Sequence, residues 1–199
     1  LTASRGQGAR YIRTVRIKFG RPNLRHYADA FDVPPATDAF GATFLGVATL
    51  LLDDGRTALM TDGFFSRPSL ARVALARLHP NEARIAEALD RAGVDRLDAV
   101  LPVHTHYDHA LDSAVVADRT GATLVGGSST ALVGRGHGLA AERIHRVTPG
   151  EARRFGAFEV THLPSTHCPP DRYPGEISEP LVPPTRASSY RCGEAWSIL

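Results

Sequence analysis

From Thr43 onward, short apolar, β-branched runs alternate with turn residues. Thr43 to Leu52 reads as a strand-forming run, Asp53-Asp54-Gly55-Arg56 as a turn and Thr57 to Thr61 as a returning strand. A hairpin ending at Asp62-Gly63 is therefore expected. Two helical stretches follow. Ser69 to Leu78 carries apolar residues on more than one face. Asn81 to Ala92 is cleaner, with Ile85, Ala88, Leu89 and Ala92 on one stripe and Gly93 where a helix terminates. Asp98 to Val103 is a nearly continuous apolar run, the pattern of a strand buried on both faces. Ala110 to Thr120 reads as a helix closed by Gly121, and Ala122 to Val125 as the next strand.

Strand, helix and strand joined by short connections imply parallel pairing and a layered α/β fold. A short helix at Ser128 to Val133 and strands around Arg143 to Val147 and Ala157 to Leu163 continue that theme. Cys168 to Arg186 is too rich in proline for regular structure, and Ser188 to Leu199 reads as a hairpin turning at Cys192-Gly193. Residues 1–42 differ from all of this. They are rich in arginine, glycine and proline, show little periodicity, and are expected to form an irregular, solvated basic arm ahead of a domain over 43–199.

Composition narrows the function classes. At 199 residues, 43% hydrophobic and 22% charged, the chain can bury one sizeable core. A net charge of +2 gives no argument for nucleic acid or an anionic membrane as partner. The sequence shows no apolar run long enough to span a bilayer. Cys168 and Cys192 make no disulfide framework, which suits a reducing compartment, so a cytoplasmic enzyme acting on a small molecule is expected. The chain starts at Leu1 and stops inside the alternating run Ala195 to Leu199, so a longer protein is also expected.

The chemistry concentrates in His104-Thr105-His106-Tyr107-Asp108-His109, directly after the buried apolar run. Imidazoles are good ligands for zinc, and a carboxylate beside them can bind a second ion or hold a water. His104 and His106, two residues apart, can converge on one ion. Asp108 and His109 are adjacent, so their side chains should diverge from that pair toward a neighbouring ion. The ends of strands in α/β sheets are where ligands usually bind.

His-x-His-x-Asp-His after an apolar strand resembles the metal-binding motif of the metallo-β-lactamase superfamily. Thr61-Asp62-Gly63 is similar to that family's first motif, and Leu45 to Thr49 leading into Leu50-Leu51-Leu52 to its opening strand pair. The resemblance covers Thr43 to Leu199. It implies a four-layer αβ/βα sandwich, of which this chain would hold the N-terminal half and part of the second. It also implies one or two zinc ions, with manganese or iron as alternatives. His104 and His106 would bind the first ion, and Asp108 and His109 the second. Asp108 would additionally orient the nucleophile or shuttle a proton as the catalytic carboxylate.

Asp62 would support the site by hydrogen bonding. The next histidine is either His162, inside a strand, or His167, in the loop beyond it, and His167 is preferred. Cys168 beside it is expected to be a bystander. The bridging aspartate and final histidine that the resemblance calls for have no strand-terminal candidate after His167; Asp171, in the proline-rich loop, is the one later aspartate. The implied activity is hydrolysis of a phosphoester, lactone or amide by a metal-activated water. The alternative is an inactive protein with a structural or incomplete metal site. Within the superfamily, the chain resembles the branch of L-ascorbate-6-phosphate lactonase and N-acyl-phosphatidylethanolamine phospholipase D.

Overall fold

The computed structural model describes residues 40–199. The basic arm expected over 1–42 lies outside them, apart from residues 40–42, and Gly41 and Ala42 already belong to the first strand.

Six strands form one sheet in sequential order: β1 (Gly41–Gly46), β2 (Thr49–Asp53), β3 (Ala58–Thr61), β4 (Ala99–Leu101), β5 (Thr123–Gly126) and β6 (Ile144–Arg146). The first three pair antiparallel through tight turns, and from β3 onward pairing is parallel. Each parallel step requires a crossover. Helices α1 (Leu70–Leu75) and α2 (Glu82–Arg91) precede β4, α3 (Tyr107–Ala110) and α4 (Ser113–Thr120) precede β5, and α5 (Ser128–Gly136) precedes β6. A second, antiparallel sheet contains β7 (Ala152–Phe155), β8 (Phe158–Pro164) and β9 (Trp196–Ile198).

Side chains alternate across a strand, and that period sorts the core into two layers. Met60, Val100 and Leu124 face the helices and pack with Ile85, Leu89, Val116 and Ala117. Their neighbours Leu59, Ala99, Leu101 and Val125 face the other way and meet Val160, Phe155 and Phe158 of the second sheet. Both faces of β3, β4 and β5 are therefore covered, which is why these strands read as continuous apolar runs. Helices, large sheet and small sheet are three of the four expected layers; a second helical layer is not present among the described residues. A third cluster joins Phe64, Leu111 and Val133 to Ile177, Leu181 and Tyr190, and anchors the proline-rich loop despite its lack of regular structure.

Several elements differ from expectation. The run Thr43 to Leu52 is two strands, because Gly46 (φ +99°) and Val47 (φ +56°) turn the chain back and pair Gly46 with Thr49. The helix expected over Ser69 to Leu78 shortens to α1, which buries none of its residues, while Leu78 leaves to bridge Thr185. The helix expected over Ala110 to Thr120 is split into α3 and α4. At the junction sits buried Asp112, whose carboxylate accepts the Phe65 and Ser66 N–H groups at 2.7 and 2.6 Å. Strand β7 has no apolar alternation to reveal it, since Ala152, Arg153 and Arg154 are exposed. No hairpin forms over Ser188 to Leu199. Cys192 and Gly193 instead donate their N–H groups to the carbonyls of Tyr173 and Gly175, and β9 pairs with β8.

Candidate metal centre

Parallel register between β3 and β4 sets Thr61 opposite Leu101, so the residues just beyond both strand ends are neighbours. Asp62 turns there with φ +53°, a left-handed conformation that aspartate tolerates better than most side chains. The turn points its carboxylate back across the strand ends. Oδ1 accepts the Val103 N–H at 2.9 Å, and Oδ2 lies 2.8 Å from Nδ1 of His109. Burial raises the Asp62 pKa, and the His109 bond pulls the other way. For His109, burial opposes the charged ring, yet the bond to Asp62 and its charge hold the pKa above the ordinary value. The Nδ1 hydrogen therefore belongs to the Asp62 bond, which leaves Nε2 as the ring's free position. Ser113 adds a bond from Oγ to the His109 carbonyl at 2.9 Å.

His104 and His106 flank Thr105, which is clamped by its N–H to the Cys192 carbonyl (2.8 Å) and by its hydroxyl to the Arg191 carbonyl (2.6 Å). Nε2 of His104 and Nδ1 of His106 lie 3.1 Å apart. Two nitrogens bound to one tetrahedral zinc at about 2.0–2.1 Å stand roughly 3.3 Å apart, so this spacing suits a shared ion. His167 arrives from the loop after β8, its ring centroid 4.7 Å from both others. Donor atoms of His104, His106 and His167 all lie within 4.8 Å of one another.

Burial, then the neighbouring His109, His106 and His167, push the His104 pKa down to about 3. Burial likewise lowers His106. Both rings are neutral near pH 7, the form that binds metal. Nδ1 of His167 is buried without a hydrogen-bond partner, and such an atom normally finds one. The donor set fits a divalent ion.

The remaining expected residues are placed as follows. His109 does not diverge from the first pair: α3 starts at Tyr107 and brings its ring 3.8 Å from that of His104. Asp108 is 43% exposed with a carboxylate oxygen 3.9 Å from Nε2 of His109, and no third donor groups with these two among the described residues. His162 is buried in β8 against Trp196, outside the cluster. Cys168 is exposed and also outside it. Asp171 and Cys192, unassigned from sequence, do come to the site. With His106 they form a second group of donors within 4.8 Å. Burial, followed by Asp171, pushes the Cys192 thiol up to about 11. No local spacing announces either residue, because long-range packing brings them in.

A hollow of about 630 Å³, lined in part by Phe44, Phe65, Arg67 and Arg84, includes none of the histidines. Its cations are already engaged: Arg67 donates to the Leu45 carbonyl and Arg84 to the Ser66 carbonyl.

Pairing thus changes from antiparallel to parallel at β3, with histidines and an aspartate just beyond the parallel strand ends. Residues 42–188 match the model of the metallo-β-lactamase superfamily, and the chain belongs to it. Over 80 residues it is 35% identical to a UPF0173 metal-dependent hydrolase of Methanopyrus kandleri, covering 40% of this chain and 34% of that protein. Among solved structures it is similar to the metallo-β-lactamase SMB-1 bound to 2-mercaptoethanesulfonate (17% identity, TM-score 0.49, 80% of this chain and 56% of that one). It is also similar to BJP-1, a subclass B3 metallo-β-lactamase of Bradyrhizobium japonicum (18% identity, TM-score 0.46, 66% and 51%). The chain thus spans about a third of that curated relative and about half of these two structures.

Proposed function

We propose that this chain is part of a metal-dependent hydrolase, with His104, His106 and His167 holding one divalent ion and Asp108 and His109 contributing to a second. The observation that carries the reading is the convergence of the imidazole donors of His104, His106 and His167 within 4.8 Å of one another, the first two just beyond the end of parallel strand β4. Zinc suits the donors best, with manganese and iron as alternatives. A bound ion of this kind lowers the pKa of water to about 7 and polarises a carbonyl or phosphoryl oxygen.

The chain's own residues then have distinct tasks. Asp62 fixes the His109 ring through Nδ1 and ties it to the Val103 backbone. Asp108, partly open to solvent and 3.9 Å from Nε2 of His109, would orient a water and take its proton. The substrate is a small molecule with a phosphoester, lactone or amide bond. No helix among the described residues is long and apolar enough to cross a membrane. Cys168 and Cys192 are both free, and we assign the protein to the cytoplasm on that ground.

The test is metal analysis of the purified chain together with a panel of phosphodiesters, lactones and amides, with and without chelator. Bound metal and chelator-sensitive turnover support the proposal. Metal without turnover on any of the three classes would support the structural-site alternative.

A further inference from the structure

We infer that Asp171 is a positioning residue for His106, holding its ring so that Nδ1 faces the ion. This rests on His106 being a ligand, as proposed above. A neutral imidazole has one N–H and one lone pair. Nδ1 of His106 faces Nε2 of His104 at 3.1 Å, on the side of the three-imidazole cluster. If Nδ1 gives its lone pair to metal, Nε2 carries the hydrogen and needs an acceptor. His106 is only 7% exposed, so water does not readily serve.

The carboxylate within reach is Asp171, its Oδ1 3.2 Å from that nitrogen. The contact lacks full alignment, and the Tyr173 backbone lies on the same side. A carboxylate behind a metal-bound histidine fixes the tautomer and the ring's direction.

Asp171 is itself braced. Its Oδ1 accepts the Tyr173 N–H at 3.1 Å. The Tyr173 carbonyl accepts the Cys192 N–H at 2.8 Å, Gly193 donates to Gly175 at 2.9 Å, and the Arg191 guanidinium donates to the Pro174 carbonyl at 2.9 Å. The loop after His167 is thereby zipped to the segment that also clamps Thr105 between the two histidines. Cys192 is buried beside Asp171 and stays out of the three-imidazole cluster. We place it as a neighbour of the carboxylate rather than a ligand.

The experiment compares zinc affinity by chelator competition for the chain and its Asp171→Ala and Asp171→Glu variants. Two further readouts are the His106 tautomer from nitrogen-15 NMR of the zinc-loaded protein and the absorption spectrum after cobalt(II) loading. Loss of the carboxylate should weaken zinc binding by about 10–100-fold, and glutamate should restore most of it. His106 should be protonated at Nε2 in the unsubstituted protein, a readout that needs no variant to fold. Affinity within twofold of the original in Asp171→Ala, or a His106 hydrogen on Nδ1, would overturn the inference. So would a thiolate-to-cobalt charge-transfer band that disappears in Cys192→Ser, because Cys192 would then be a ligand. An unsubstituted chain that binds no zinc would instead sink the ligand assignment on which the inference rests.

Discussion

The two walls of the histidine cluster are built by different means. One wall is the end of β3 and β4, where parallel register alone places Asp62 beside Val103 and leads directly into His104, His106 and His109. The other wall is assembled from the loop after β8 and the segment before β9, and contributes His167, Asp171 and Cys192 through single backbone bonds such as Cys192 N–H to Tyr173. Sheet pairing supplies rigidity to the first wall. The second depends on side-chain anchors, chiefly Ile177, Leu181 and Tyr190, buried against α3 and α5. Such a difference means that damage to the first wall should cost stability as well as metal, whereas damage to the second should cost mainly metal.

The largest effect should come from replacing both His104 and His106 with alanine. Metal affinity should fall by more than the roughly 100-fold that loss of a supporting partner can cost, as read by chelator competition. Removing Asp62 tests the rigid wall next. Asp62→Ala leaves the Val103 N–H and the His109 Nδ1–H without their buried acceptor, and urea unfolding should show a loss of about 1–3 kcal/mol.

The pH dependence of the metal-free chain follows in sign from His104, whose folded pKa of about 3 lies below its ordinary 6.5. Its contribution to stability is complete above pH 6.5 and is lost as pH falls toward 3, because the unfolded ring takes a proton that the folded ring refuses. His109, with its raised pKa, contributes in the opposite sense: its share is present below 6.5 and fades as pH rises. Thermal melts from pH 8 to 4 should therefore decline on the acid side, and His104→Gln should flatten the decline.

The smallest expected effect joins the two walls. Thr105→Val removes the hydroxyl bond to the Arg191 carbonyl, costs about 0.5–1.5 kcal/mol and leaves β4 in place. A larger stability loss than that of Asp62→Ala would reverse the ranking of the walls.

The first wall was legible in the sequence because its signals are local. An apolar run, a His-x-His-x-Asp-His motif and an Asp-Gly turn each lie within a few residues, and strand order brings them together. Helix α2 was equally legible, its start capped by Asn81 onto the Arg84 N–H and its end followed by Gly93 at φ +65°.

The second wall was not, apart from His167. Asp171 sits in a segment with no periodicity, and the local pattern at Cys192-Gly193 points to a hairpin that does not form. What positions them is the pairing of β9 with β8 and the bonds of residues 191–193 to residues 173–175, contacts that no spacing along the chain encodes. Strand β7 carries no sequence signal for a related reason: β8 supplies the apolar face, and β7 itself carries exposed arginines.

Zinc-edge X-ray absorption of the metal-loaded chain, set beside its His167→Ala variant, tests most directly whether both walls grip one ion. The arrangement described here predicts nitrogen neighbours at about 2.0–2.1 Å with imidazole outer scattering that weakens when His167 is removed. Sulfur scattering at about 2.3 Å, or an imidazole signal unchanged by the loss of His167, would contradict it.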